Sequence, residues 1–172
     1  MADFARAFER TLMAEGGYQL TNVSGDRGGQ TYAGIARNPN PQWPGWAFID
    51  RGEIPPTQMV RDFYRDGWWT PIRGDEIADQ RVAESIFDFG VNTSAYGRPA
   101  VAVKLAQIVA GVTPDGDFGP KTLQAVNAMD GALFAARYTV AKIARYRDIV
   151  ARDRTQIKFL LGWISRALKG AA

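Results

Sequence analysis

Ala14-Glu15-Gly16-Gly17-Tyr18, with Asp26 and Thr31 following, is the stretch that decides how this chain reads. Upstream of it, Phe4, Phe8 and Leu12 recur at helical spacing while Arg6, Glu9 and Arg10 fall off that line, which predicts an amphipathic helix over 2–14. Gly16-Gly17 stops the helix, as glycine does at helix C-termini. Glu15 is thereby placed where orphan carbonyls carry partial negative charge. Its ionised form is disfavoured there, and its pKa is expected to rise, the more so with partial burial. Downstream, 18–36 contains Gly25, Gly28, Gly29 and Gly34 and reads as irregular or β-like structure.

Working outward, 37–56 carries five of the nine prolines together with Trp43 and Trp46, and reads as a long surface loop. Thr57 is expected to cap a second helix reaching Tyr64 and extending towards Trp68. A third helix, 79–92, places Val82, Ala83, Ile86, Phe87 and Gly90 on one side. Pro99 opens a fourth at its first position and Gly111 closes it. The turn-rich Thr113-Pro114-Asp115-Gly116-Asp117-Phe118-Gly119-Pro120 leads into a helix towards Met129. A long helix over 132–152 and a last one over 156–168 complete the chain. In the last, Ile157, Leu160, Leu161, Ile164 and Leu168 read as a core-packing face; Trp163 beside Lys158, Arg166 and Lys169 also fits a membrane surface. The expected fold is mainly α, with a small irregular or β lobe near 18–36.

Composition removes whole classes of chemistry. The 172 residues contain no Cys and no His, so Ser-His-Asp triads, Cys-His pairs, disulfides and Cys- or His-ligated zinc are all excluded. Carboxylates remain as the obvious catalytic groups. A hydrophobic content of 46% supports a real core. The net charge of +3 hides an asymmetry: from Arg137 onward nine Lys/Arg face two Asp, leaving the rest of the chain at −4. Such a basic tail suits an anionic partner such as nucleic acid, a membrane surface or a wall polymer, and equally a solvated helix face. Met1 to Met13 has no apolar run ahead of a cleavage site, and no segment is long and apolar enough to span a bilayer. Synthesis in the cytoplasm without a signal peptide is therefore expected, and no stable membrane insertion.

Glycosidic cleavage needs one acid to protonate the leaving oxygen and a second group to activate water or attack the sugar. Glu15 suits the first role. Asp26 suits the second if the intervening segment folds back as a hairpin, with Thr31 holding the water. Each residue also has a plain structural reading: a surface acid at a helix end, a turn aspartate, an ordinary threonine. Trp43, Trp46, Trp68 and Trp69 serve either as anchors of the core or as platforms for sugar faces.

The order of motifs carries a resemblance. Glu15-Gly-Gly-Tyr18 followed by Asp26-Arg-Gly-Gly-Gln-Thr31-Tyr-Ala-Gly-Ile35 resembles glycoside hydrolase family 108, a family of bacterial and phage N-acetylmuramidases, some first described as secretion activators. Phe63-Tyr64-Arg65-Asp66-Gly67-Trp68-Trp69 is similar to the family's aromatic helix, and Ile86-Phe87-Asp88-Phe89-Gly90-Val91-Asn92 to its cleft-lining helix. Asp115 to Thr122 is similar to the loop of the peptidoglycan-binding region that usually follows. The resemblance implies a lysozyme-like α+β fold with a catalytic region over 1–92 and a helical region over 93–172 packed on it. It implies hydrolysis of the β-1,4 bond between N-acetylmuramic acid and N-acetylglucosamine, with Glu15, Asp26 and Thr31 catalytic. Gln30, Tyr32, Asp88 and Asn92 are candidates for substrate contact, and Asp88 reads equally as a buried structural acid. Many family members carry an Asn between the Thr and the Tyr; this chain does not. Peptidoglycan is the expected partner, with a holin or secretion system for release. Neither metal nor cofactor is expected. A non-catalytic wall-binding protein is the alternative reading. A nucleic-acid binder is suggested by the basic tail alone, and no recognisable reading helix accompanies it.

Overall fold

A computed structural model gives the architecture and describes residues 1–14, 16–22, 28–94 and 98–169. Helix α1 (Phe4–Ala14) forms as its apolar spacing requires: Phe4, Ala7, Phe8 and Leu12 are buried, while Arg6, Glu9 and Arg10 face water. It ends as expected. Gly16 and Gly17 both take positive φ (90° and 72°), and the Gly17 N–H donates to the Leu12 carbonyl at 2.9 Å.

The small lobe is a three-stranded antiparallel sheet of β1 (Leu20–Thr21), β2 (Thr31–Tyr32) and β3 (Ile35–Ala36), in that order. Thr31 pairs with Thr21 on one side and Ala36 on the other. Ala33 and Gly34 link β2 to β3 in two residues, both at positive φ (50° and 78°), the twist that suits a tight hairpin. The strained Ala33 is held from two sides: its N–H donates to the Gln19 carbonyl (3.1 Å) and its carbonyl accepts from the Tyr64 hydroxyl (2.9 Å).

The segment 37–56 is not the surface loop its prolines suggest. It contains α2 (Trp46–Ile49) and folds around two buried indoles, Trp43 and Trp46. The reason is non-local. Arg37 grips Asp50 through two hydrogen bonds of 2.7 Å and lies 5.2 Å over the Trp46 ring, whose N–H donates to the Asn40 carbonyl at 2.8 Å. Helix α3 (Thr57–Tyr64) begins one step differently from expectation: Pro56 holds the cap position, its carbonyl accepting the Met59 N–H at 2.9 Å, and Thr57 is the first helical residue. Beyond Tyr64 the chain widens into a π turn (Arg65–Trp69), then two 3-10 turns, Thr70–Ile72 and Gly74–Glu76. Through these turns the consecutive Trp68 and Trp69 are both buried.

Helix α4 (Gln80–Thr93) is capped by Asp79, whose carboxylate accepts the Arg81 and Val82 N–H groups, and buries Val82, Ala83, Ile86, Phe87 and Gly90 as expected. Helix α5 (Ala100–Ala110) ends at a left-handed Gly111, with Pro99 at its cap rather than at its first position. Helix α6 (Pro120–Asn127) starts at Pro120, and α7 (Gly131–Arg152) is capped by Asp130. Helix α4 packs against α1, α5 and α7, so one hydrophobic cluster extends from Ala2 and Phe4 to Tyr146 and Ala167.

The last segment departs from the expected core-packing face. It opens as a 3-10 turn (Arg154–Phe159) before α8 (Leu160–Lys169). Trp163 stacks on Tyr146 (5.3 Å) and Arg166 pairs with Asp88, which turns Leu160, Trp163 and Ala167 inward. Leu161 and Leu168 are left exposed by that rotation, and Ile157 is exposed in the turn before the helix.

Candidate active site

Two of the three catalytic candidates, Glu15 and Asp26, lie outside the described residues. The third, Thr31, is the first residue of β2 and half-buried. Its hydroxyl donates to the Gly29 carbonyl at 3.3 Å, and its own carbonyl accepts from the Thr21 hydroxyl at 3.5 Å. Gln30 precedes it and is held by Arg37, which donates to the Gln30 side-chain oxygen at 3.0 Å while clasping Asp50. Tyr32 follows and is buried, its ring stacked on Trp43 at 6.1 Å. Burial first, and then the neighbouring Tyr18, push the Tyr32 phenol above its ordinary pKa, so it remains a neutral hydroxyl.

Asp88 and Asn92 stand one turn apart on α4. The Asn92 amide donates to the Asp88 backbone carbonyl at 2.7 Å and approaches its carboxylate at 3.4 Å. The Asp88 carboxylate is committed elsewhere too: Arg166 of α8 donates to it at 3.0 Å. Behind this pair Lys142 of α7 is buried, donating to the Ser85 hydroxyl at 3.1 Å and lying 5.2 Å from the Tyr138 ring centre. Burial, partly offset by Asp88, brings the Lys142 pKa down to about 8. Thr31, Gln30 and Tyr32 thus form one group on the β lobe and Asp88 with Asn92 another on α4. Arg166 gave no sequence signal, because it reaches Asp88 across 78 positions.

A groove of about 640 Å³ runs between the 39–44 segment and the helix α3 with its π turn. Pro41, Trp43, Phe63 and Trp68 give it apolar walls, and Asp62 and Asp66, one turn apart, add carboxylates. No Lys or Arg is among the described residues lining it. Aromatic faces beside hydrogen-bond acceptors suit a polar ligand with flat C–H surfaces. Sequence reasoning singled out Trp43 and Trp68 but missed Asp62 and Asp66, whose four-residue spacing was the available sign.

A mainly helical scaffold with a three-stranded antiparallel lobe and a helical C-terminal region is a lysozyme-like α+β fold. The sequence model of the family described as Glycosyl hydrolase 108 matches residues 8–93, and that of a Predicted Peptidoglycan domain matches 101–168. Among solved structures, Brucella abortus SagA aligns over 98% of this chain and 95% of its own, at 26% identity and a TM-score of 0.64. No curated relative matches significantly. The chain belongs to the glycosyl hydrolase 108 family, and it is a glycoside hydrolase acting on peptidoglycan.

Proposed function

We propose that this protein cleaves the β-1,4 bond between N-acetylmuramic acid and N-acetylglucosamine by a single displacement with inversion. The observation that carries this reading is the end of α1. The helix runs to Ala14 and the chain turns left-handed at Gly16 and Gly17, so Glu15 follows the last helical residue in sequence. A carboxyl group at a helix C-terminus is biased towards its protonated form, the state a general acid needs. In this reading Glu15 gives its proton to the glycosidic oxygen as the bond to C1 of the muramic acid breaks. Asp26 takes the proton of a water that adds to C1 from the opposite face. Because the Thr31 hydroxyl donates to the Gly29 carbonyl, its lone pairs remain to accept a hydrogen from that water and aim its oxygen. Inversion by this route needs the two carboxyl groups roughly 6.5–9.5 Å apart.

Gln30, Tyr32, Asp88 and Asn92 are the substrate contacts in the same reading, with residues 1–92 as the catalytic region and 93–172 as the peptidoglycan-binding region packed on it. The place of action is the bacterial wall, reached through a holin or a secretion system. The test is mass spectrometry of fragments released from purified peptidoglycan by the wild type and by Glu15→Gln. Reducing N-acetylmuramic acid, absent with the variant, is the expected result, and NMR should show the α anomer forming first. Reducing N-acetylglucosamine would reassign the bond. A β anomer formed ahead of mutarotation would rule out inversion, and no release by folded wild type would leave a wall-binding protein.

A further inference from the structure

We propose that the face formed by the Arg154–Phe159 turn and α8 docks on the surface of an anionic phospholipid bilayer. Leu161, Ile164 and Leu168 stand at i, i+3 and i+7, one ridge of the helix. Leu161 is 79% exposed and Leu168 53%, and the preceding turn adds Ile157 at 57% and Phe159 at 45%. This exposure is fixed by the packing of α8. The neighbouring sector, Leu160, Trp163 and Ala167, faces the core, Trp163 is stacked against both Tyr146 (5.3 Å) and Phe159 (5.8 Å), and Arg166 is tied to Asp88. Rotating the helix to hide the leucines would break all of these contacts.

The chemistry of the face selects its occupant. Between residues 154 and 169 there are four basic residues and no acid. Arg166 is engaged, which leaves Arg154, Lys158 and Lys169 exposed around the ridge. Aliphatic side chains gain by entering acyl chains and gain little on a polar glycan, while the cations suit lipid phosphates. Among the described residues no helix is long and apolar enough to cross a membrane, so the mode is interfacial. A wall-cutting enzyme seated this way would work on the layer of polymer next to the bilayer.

The full chain is tested by sedimentation with vesicles of phosphatidylglycerol and phosphatidylethanolamine, and with vesicles of phosphatidylcholine alone. Wild type is expected to sediment with the anionic vesicles and not with the zwitterionic ones. Leu161→Asp combined with Leu168→Asp is expected to lower partitioning by about a hundredfold, roughly tenfold for each leucine withdrawn from lipid. Its circular dichroism should be unchanged. Arg154→Glu with Lys158→Glu, which leaves the ridge intact, should also weaken binding. The proposal is overturned if wild type does not sediment, or if the aspartate variant sediments equally. It is also overturned if light scattering shows the ridge joining two copies of the chain, or if wall binding depends on the ridge while vesicle binding is absent.

Discussion

Gly17 and Gly45 are glycines for opposite reasons. Around Gly17 an added Cβ would meet nothing within 4 Å, so space does not demand glycine there; the φ of +72° does. At Gly45 no left-handed backbone is involved, and the added carbon would run into the Trp43 ring. Only the first kind of position is visible in a sequence, as a Gly-Gly pair following a helical apolar pattern. Gly17→Ala is expected to cost about 1 kcal/mol or somewhat more in a denaturant titration, since an L side chain must be forced left-handed. The same change alters the backbone two positions after Glu15 in sequence. Turnover under conditions where the variant is fully folded should therefore fall as well, with little change in KM. Unchanged stability would show that the chain does not turn left-handed there.

At the scale of elements, Gln107 shows how a motif can look like a binding loop and be a structural staple. Its amide lies deep under the Asp115–Pro120 turn. The nitrogen is within hydrogen-bond reach of the Asp115 carboxylate (2.7 Å), the Asp117 carbonyl (2.9 Å) and the Thr122 hydroxyl (3.1 Å), while the oxygen accepts the Gly116 N–H (2.9 Å). Gln107→Leu fills similar space but takes the acceptor from the Gly116 N–H and leaves the Asp117 carbonyl and the Thr122 hydroxyl only their 3.4 Å contact with each other, at an expected cost of about 1–3 kcal/mol. Hydrogen exchange should speed up at Gly116 and Asp117 while α4 stays protected; unaltered exchange would mean the turn holds itself. The elements that were legible in the sequence are those punctuated locally. Gly111, Pro120, Asp79 and the Gly16-Gly17 pair each mark an end by their own backbone or capping chemistry. The elements that were not legible depend on distant partners. Helix α2 and the burial of Trp43 and Trp46 follow from Arg37 reaching Asp50, and the rotation of α8 follows from Arg166 reaching Asp88. The candidate site divides the same way: Thr31 and its neighbours are adjacent in sequence, whereas the aromatic groove is assembled from two separated segments.

Across the whole molecule, the catalytic half and the C-terminal half share one core, and Lys142 sits where they meet. It is faced by Ser85 and Asp88 of α4, Arg10 of α1, Arg166 of α8 and Tyr138 of its own helix. Its amine has a folded pKa of about 8, below the ordinary lysine value, chiefly because of burial. Below about pH 8 the folded and unfolded chains both hold the proton, and the fold bears the full cost of the buried charge. As pH rises from about 8 to 10 the folded chain releases the proton while the unfolded chain keeps it, so the cost is relieved and stability rises. Above pH 10 the sign reverses for other groups. Tyr138 and Tyr146 have phenol pKa values raised by burial, so the unfolded chain ionises first and stability falls. Comparing wild type with Lys142→Met removes the tyrosines from the balance, because both proteins contain them. Between pH 8 and 10 the stability of wild type relative to Lys142→Met should increase by about 2 kcal/mol, read from urea titrations at each pH. A constant difference over that interval would mean that Lys142 keeps its charge comfortably. The seam between the halves would then be wetter, or more strongly countered by Asp88, than its burial implies.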